Sequence, residues 1–259
     1  MSDYWKDRMA KSQNKLTNKS IKQIEALMRK YYKGSMKRTI SSFEGTNDKL
    51  LATVGDGRAP TPADLYKLDK YWEMQGQLKK ELLKLGSRQV KTLSAAFEMN
   101  FFDVYYSIAI PGAEAFTTID KTMVEQMINH IWVADGKSWS QRIWDNTSKL
   151  ADTLNEELVN CVVNGNKTSD LKKALQERFN VSYSQADSLA RTELAHIQTE
   201  AAHKRYKDYG IQEVEVWADE DERRCEVCGK LHQKRYPIGA ATPIPAHPRC
   251  RCCIVPVVE

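Results

Sequence analysis

Long apolar runs are absent from this chain. No stretch of its 259 residues approaches the roughly 20 consecutive apolar side chains that a membrane-spanning helix needs. Residues 1–30 lack the apolar core of a secretory signal peptide. Contents of 41% hydrophobic and 28% charged residues are typical of a folded, water-soluble protein. The sequence therefore predicts a protein made in the cytoplasm, a reducing compartment, with no membrane partner.

Cysteine is almost absent before residue 225, whereas five of the six cysteines lie between residues 225 and 253. Cys225 and Cys228 form a C-x2-C pair, and after eighteen intervening residues His247 and Cys250 form an H-x2-C pair. Two such pairs supply the four ligands of a tetrahedral zinc ion. Because clustered cysteines in a reducing compartment are more often ligands than disulfides, we predict a zinc site. Disulfides, or a metal-free turn held by hydrogen bonds and packing, are the alternatives.

The choice of the fourth zinc ligand is open on sequence alone. Cys252 competes with Cys250, His232 follows as a candidate, and Cys253 adds a further thiol. A site closed by four protein ligands is structural rather than catalytic. Nearby cations favour thiolates, and four arginines flank the cysteines: Arg223, Arg224, Arg249 and Arg251.

Motifs of metal-dependent catalysis are missing as well. The chain contains no H-E-x-x-H motif, and His196 and His203 are seven residues apart. No motif clearly supplies an open metal position or a general base, so we predict a protein without enzymatic activity. A metal-dependent nuclease or toxin-like enzyme is the less favoured alternative.

Periodicity predicts an α+β fold that is predominantly α, with a helical N-terminal lobe and a helical, small-β C-terminal module that contains a zinc-knuckle-like Cys/His loop. Thr61 is expected to cap a helix that starts at Pro62. Breaks or bends are expected at Gly34, Gly86-Ser87 and residues 180–184, and short strands at 214–217 and 252–258. The predicted helices cover residues 3–45, 62–85, 88–106, 119–132, 139–163, 168–180 and 185–209.

Pro111-Gly112 marks the predicted domain boundary. It divides the chain into residues 1–111, helical and basic, and residues 112–259, with the Cys/His module at 213–259. Aromatic side chains in helices and strands are most often part of the core, which is the prediction for Trp139, Trp144 and Trp217. A role in a protein interface is the alternative.

The net charge of +5 is unevenly distributed. Residues 1–40 contain eleven Lys/Arg and three Asp/Glu, and residues 223–259 contain seven and two. Such basic ends can meet DNA phosphates or an acidic protein surface, although a solvated lysine-rich helix face is the alternative. No base-reading motif occurs, so sequence-specific DNA recognition is not expected. The candidate contact residues are Lys11, Lys15, Lys19, Lys22, Arg249 and Arg251.

A set of motifs follows in order from Trp139 onward. W-S-Q-R-I-W occupies 139–144, A-R-T-E occupies 190–193, D-E-R-R-C-E-V-C occupies 221–228, and A-H-P-R-C-R-C occupies 246–252. This combination resembles the phage Mu F-like minor head proteins, which are head morphogenesis proteins of tailed bacteriophages. The resemblance covers about 120 residues.

Outside those residues the resemblance is weaker. The N-terminal half is similar to the family only in being helical, basic and opened by Tyr4-Trp5. Arg224 stands where the family often has Thr, and Gln233 stands where it often has Gly. Neither departure removes a predicted ligand.

The resemblance implies a minor capsid protein that binds the portal, with capsid or scaffold proteins as further partners, and that affects DNA packaging or ejection. It implies a place in the virion head, and in the host cytoplasm during assembly. A zinc-ribbon-type nucleic-acid-binding protein is the alternative function.

Four residues of these motifs are predicted to be structural: Arg191, Glu193, Asp221 and Arg223. Arg191 and Glu193 are two positions apart and so point to different faces of their helix. We expect each of them to pair with another element, joining the long helix to the strand and to the metal loop.

Overall fold

The computed structural model describes residues 3–54, 60–110, 118–218 and 224–258. Within these ranges the chain forms helices and three short strands. The helices are α1 (Asp3–Val54), α2 (Pro62–Tyr66), α3 (Asp69–Ser107), α4 (Lys121–Ile128), α5 (Trp139–Val163), α6 (Thr168–Asp208) and α7 (Glu226–Leu231). The strands are β1 (Glu213–Trp217), β2 (Arg235–Pro237) and β3 (Cys253–Pro256).

The predicted fold class is confirmed. Helices dominate the chain, and the strands form one antiparallel sheet in the order β2-β1-β3. Val214 in the central strand pairs with Tyr236 on one side and with Pro256 on the other. Neither β2 nor α7 was predicted, because both are too short to produce a periodic pattern.

Two local predictions match the structure closely. The predicted helix over 139–163 is α5, and Gly165 follows it with φ of 62°. Thr61 caps α2: its side chain accepts from the Asp64 N–H at 3.3 Å, and the Asp64 carboxylate accepts from the Thr61 N–H at 3.0 Å. This reciprocal pair is a capping box in front of a Pro at the first helical position.

The break predicted at residues 180–184 is wrong. Instead α6 continues without interruption from Thr168 to Asp208. Phe179 is 1% exposed and Ser182 is 4% exposed, so both sides of the expected break are packed. Burial of this kind outweighs the small helix penalty of Asn and Ser residues.

A helix break at Gly34 or at Gly86-Ser87 is not observed. Gly34 lies within α1, and Gly86 lies within α3. A Cβ atom at Gly86 would lie 2.5 Å from the Trp144 ring, so this glycine permits close packing inside a helix. The interruption lies earlier, between α2 and α3, where Lys67 caps the short helix.

The tryptophans divide between core and surface. Trp139 and Trp217 are 5% and 6% exposed, as predicted. Trp144 is 37% exposed, so its assignment to the core is wrong. Its ring instead packs against Gly86.

The chain forms two compact units, each built from separated segments. The first comprises Met1–Glu25, Thr92–Trp139 and Ser188–Glu259, and the second Ala26–Lys91 and Ser140–Asp187. The division at residues 111 and 112 stays a prediction, and Pro111 and Gly112 lie outside the described residues. Among the described residues, no helix is both long and apolar enough to cross a membrane.

In the first unit, the start of α1 packs on the sheet. Ala10 shares a buried cluster with Trp217, Cys253 and Val255. The Lys6 Nζ lies 2.9 Å from the Glu215 Oε2, and the side chain of each is at most 10% exposed. These contacts fix the strands that flank the Cys/His residues.

In the second unit, Tyr32 is the centre of a buried polar network. Its hydroxyl lies 3.3 Å from the Gln89 Oε1 and 3.2 Å from the Ser182 Oγ. The Asn146 amide donates to the same hydroxyl at 3.3 Å. Burial raises the pKa of Tyr32 to about 12, so the phenol remains protonated and can donate.

Candidate metal centre

The two Cys/His pairs lie on short, hydrogen-bonded turns. Cys225 is the N-cap of α7, and its Sγ accepts a hydrogen bond from the Cys228 N–H at 3.3 Å. In the second pair, the Cys250 N–H donates to the His247 carbonyl at 3.1 Å. Each short turn therefore carries two ligand residues three positions apart. We call the turn with Cys225 and Cys228 the first knuckle and the turn with His247 and Cys250 the second knuckle.

The structure brings the two knuckles together. The His247 Nε2 lies 3.2 Å from the Cys225 Sγ and 3.1 Å from the Cys228 Sγ. The Cys228 and Cys250 Sγ atoms are 3.8 Å apart. Zn–S bonds of about 2.3 Å in a tetrahedron put two sulfurs roughly 3.8 Å apart, so this spacing is that of two zinc ligands.

Five side chains gather around this point. Cys225, Cys228 and His247 form one group of mutually close ligand atoms, and Cys228, Cys250 and Cys252 form another. Within each group all ligand atoms lie within 4.8 Å of one another. Cys228 belongs to both groups and is therefore common to any tetrahedral set drawn from them. With Cys225 and His247 kept as predicted ligands, Cys250 and Cys252 are the candidates for the fourth position.

Two further candidates from the sequence have other environments. Cys253 is fully buried in the core cluster, with its Sγ 3.8 Å from the Trp217 carbonyl. His232 packs its ring on Trp217 at a centroid distance of 4.8 Å, and its Nδ1 accepts from the Ala218 N–H at 3.2 Å. Neither belongs to a close ligand group among the described residues.

The thiols of the cluster differ strongly in pKa. A hydrogen bond from the Cys252 thiol lowers the pKa of Cys250 to about 5, and the same bond raises the pKa of Cys252. Burial raises the pKa of Cys228 to about 12. Neighbouring thiolates repel, so without a cation only some of these thiols ionise. A bound Zn²⁺ would remove that conflict, because it binds thiolates directly.

Arginines surround the cluster, as the sequence indicated. Arg224, Arg249 and Arg251 line a small cavity together with Cys225, Cys228, His247 and Cys252. Arg249 is exposed and Arg251 is half-buried. Asp221 and Arg223, predicted to be structural, lie outside the described residues.

A hydrogen bond joins the second knuckle to α6. The Thr192 Oγ1 accepts from the Arg249 N–H at 3.0 Å. Arg249 has φ of 61°, a left-handed conformation that is unusual for a residue with a side chain. Sequence reasoning chose Arg191 and Glu193 of the R-T-E motif and missed the threonine between them.

The neighbours of Thr192 contact other segments. The Arg191 guanidinium lies 3.1 Å from the Glu25 carboxylate on α1. Glu193, 4% exposed, accepts a hydrogen bond from the Trp132 indole N–H at 3.0 Å. The three residues of the motif thus anchor three different parts of the first unit to α6.

The predicted basic contact residues on α1 form one stripe. All four are exposed, and their spacing of three or four residues places them on the same side of the helix. They are Lys11, Lys15, Lys19 and Lys22.

Comparison with known protein families supports the sequence resemblance. Residues 152–255 match the model of the family described as Phage Mu protein F like protein. The matched segment runs from within α5 to β3 and contains the R-T-E motif and every predicted metal ligand. Searches of curated proteins and of solved structures gave no match.

Proposed function

We propose, from the Mu F-like head morphogenesis segment at residues 152–255, that this chain is a minor capsid protein that assembles at the portal of a tailed bacteriophage. The observation that carries the proposal is that the matched segment also holds the converging Cys/His residues and the R-T-E anchor. A protein at the portal is placed to act in DNA packaging or ejection. Its location is then the virion head, and the host cytoplasm during assembly.

The Cys/His cluster serves a structural purpose in this proposal. Four ligands from Cys225, Cys228, His247 and either Cys250 or Cys252 close a zinc tetrahedron and leave no position for substrate. When bound, zinc ties the loop between β2 and β3 to α7. The proposed protein is therefore not an enzyme, and its activity is assembly.

Partner contacts are assigned to the exposed surface of α1. The lysine stripe offers cations at positions 11, 15, 19 and 22, which suit an acidic surface of a portal, capsid or scaffold protein. The same stripe suits DNA phosphates without sequence preference.

Co-purification with the portal protein of the same phage tests the proposal. Both proteins are expressed without other phage genes, and the major capsid protein is expressed with this chain as a comparison. We expect a stoichiometric complex with the portal protein that survives size-exclusion chromatography at moderate salt. Failure to form a complex at both low and moderate salt would contradict the portal assignment.

A nucleic-acid-binding module is the second candidate, because three arginines line the cavity beside the cysteines. DNA binding by that module should weaken when Arg249 and Arg251 are changed to Gln, and should be unaffected by Lys15→Gln and Lys19→Gln. The opposite pattern assigns DNA contact to α1. Fluorescence anisotropy measures the DNA affinity of each variant and so separates these outcomes. Repetition at two salt concentrations shows whether the contacts are made to phosphates, since such contacts give a salt-dependent affinity.

A further inference from the structure

A second site lies in the first unit, away from the cysteines. A cavity of about 760 Å³ is lined by α6, by residues 127–132 and by residues 238–246. Its volume is within the usual range for ligand pockets. Residues 196, 200 and 203 line it at successive turns of α6, so His196, Glu200 and His203 share one helix face.

Two polar groups of this cavity, on Glu200 and His203, lack a hydrogen-bond partner within the described part of the chain. Within the described part of the chain, the Glu200 carboxylate forms neither an ion pair nor a hydrogen bond. The His203 Nδ1 is buried and has no hydrogen-bond partner there. Burial lowers the pKa of His196 and of His203 to about 4, so both imidazoles are neutral at pH 7. A partly buried carboxylate without a partner is costly unless a ligand compensates it.

The walls of the cavity are apolar and aromatic. Met127, Ile131 and Ile244 contribute aliphatic surface. The Trp132 ring is stacked on His196 with centroids 4.3 Å apart. A ligand for this site therefore combines a cationic head, an apolar stem and a preference for aromatic rings.

The basic side chains that line the cavity do not form an ion pair with the Glu200 carboxylate within the described part of the chain. Lys204 pairs with Asp208 on its own helix. Lys207 lies on the cavity lining but is exposed, where solvent screens its charge. His130, across the cavity, lowers the pKa of Glu200, whereas burial raises it more strongly.

We propose that this cavity binds an arginine side chain of a partner protein through Glu200 and the neighbouring imidazoles. A metal ion is a less suitable ligand for this cavity. Among the described residues, only the Cys/His cluster brings three ligand atoms within 4.8 Å of one another, and none of its residues lines this cavity. A guanidinium carries five N–H donors in one plane and stacks on aromatic rings, so it can reach separated acceptors beside Trp132. Its aliphatic stem would lie along Met127 and Ile131.

The identity of the partner protein that supplies the arginine rests on the proposed function, whereas the recognition of its guanidinium does not. In head assembly the arginine would belong to another protein of the phage head. Ile131 and Met123 are 45% and 42% exposed near the end and the start of α4, so they offer further apolar contacts to residues around that arginine.

The test uses the full chain and a small probe. N-acetyl-arginine amide is titrated while the histidine ring signals are followed by NMR, and N-acetyl-citrulline amide is the uncharged control of nearly the same shape. We expect saturable shifts of His196 and His203 with the arginine probe, and at least about tenfold weaker binding of the citrulline probe, equivalent to roughly 1.4 kcal/mol. Equal binding of both probes, or no saturable shift, would overturn the inference.

Matched variants locate the charge that is recognised. Glu200→Gln should weaken arginine binding about tenfold, whereas Glu125→Gln, at an exposed position of α4, should leave it unchanged. Unaltered binding by Glu200→Gln contradicts the assignment. Zinc is a further probe: binding of a second zinc equivalent that shifts His196 and His203 would make this a metal site and overturn the arginine inference. Loss of the portal complex, by contrast, would leave these outcomes unaffected.

Discussion

Thr192 holds the second knuckle in place, since its Oγ1 accepts the backbone N–H of Arg249 at 3.0 Å. The same hydroxyl donates to the Ser188 carbonyl at 2.8 Å, so both its roles are fixed. The bond connects the long helix α6 to the loop that presents His247 and Cys250. The geometry of the candidate metal centre thus depends on a residue that cannot itself bind the metal.

Removing this hydroxyl should destabilise the protein. We expect Thr192→Val to lower the free energy of unfolding by about 1 kcal/mol, because the Arg249 N–H loses its acceptor. Thr192→Ser keeps the hydroxyl and is the control. Urea denaturation measures the difference, and equal losses in the two variants would refute the role given to this bond.

The left-handed backbone of Arg249 gives a second prediction. Arg249→Gly and Arg249→Ala both remove the side chain, and only glycine adopts φ of 61° without steric cost. The Gly variant should therefore be more stable than the Ala variant by about 1 kcal/mol. Thermal unfolding of the two proteins checks the order, and an Ala variant of equal or greater stability would contradict it.

The Lys6–Glu215 ion pair should be strongly coupled. Both side chains are at most 10% exposed, and α1 meets the sheet at this point. Lys6→Met leaves a buried carboxylate and should cost roughly 3 kcal/mol, with Arg235, 3.6 Å from the same carboxylate, limiting the loss. Glu215→Met should cost a similar amount. In a double-mutant cycle, the variant with both substitutions should lose less unfolding free energy than the two single variants lose together. Additive losses would exclude coupling between the two side chains.

Metal content provides the most direct test of the Cys/His cluster. We expect one zinc ion per chain, and Cys228→Ser should abolish binding because Cys228 belongs to both ligand groups. Cys161→Ser is the control, since Cys161 is a buried free thiol outside the cluster. Elemental analysis and cobalt substitution measure the loss.

The same experiment identifies the fourth ligand. Of Cys250→Ser and Cys252→Ser, the variant that weakens the cobalt–thiolate absorption more removes the ligand. Zinc retained by Cys228→Ser, or bound equally by all three variants, would contradict the predicted site.

Acid should destabilise the fold through His196. Burial lowers the pKa of His196 from 6.5 to about 4 in the folded state. As the pH falls from 6.5 to 4, the unfolded chain takes up a proton that the folded chain does not. His196 therefore has no destabilising effect above pH 6.5. Between pH 6.5 and pH 4 it lowers the free energy of unfolding by up to about 1.4 kcal/mol per pH unit.

Substitution of His196 should reduce this dependence. Denaturation of His196→Gln at pH 7 and pH 4.5 should show a smaller loss of stability than the unaltered protein. His130→Gln should reduce the pH dependence less, because the charge of His130 is the smaller of the two causes that lower the pKa of His196. An unchanged pH dependence in His196→Gln would show that this imidazole is not the group responsible.

Patterns with a local physical cause were predictable from the sequence. Thr61 before Pro62 defined a helix start because capping and the fixed φ of proline act within one turn. The C-x2-C and H-x2-C spacings identified the knuckles because a short turn sets the distance between two ligands. The histidine cavity also left a signal: seven residues are two helical turns, so His196 and His203 had to share a face.

Other features depended on contacts between residues that are distant in sequence. Gly86 lies inside a helix because Trp144, 58 positions later, packs against it, and no local rule distinguishes this glycine from a helix-breaking one. Thr192 acquired its role only when folding brought Arg249 beside it. Glu200 became a candidate binding residue because α6 and the loop over 238–246 line the same cavity. The sequence by itself determined which side chains could cap a helix or bind a metal, since these depend on near neighbours. The tertiary structure decided which of them are buried or brought together, because burial and long-range packing outweigh local propensity.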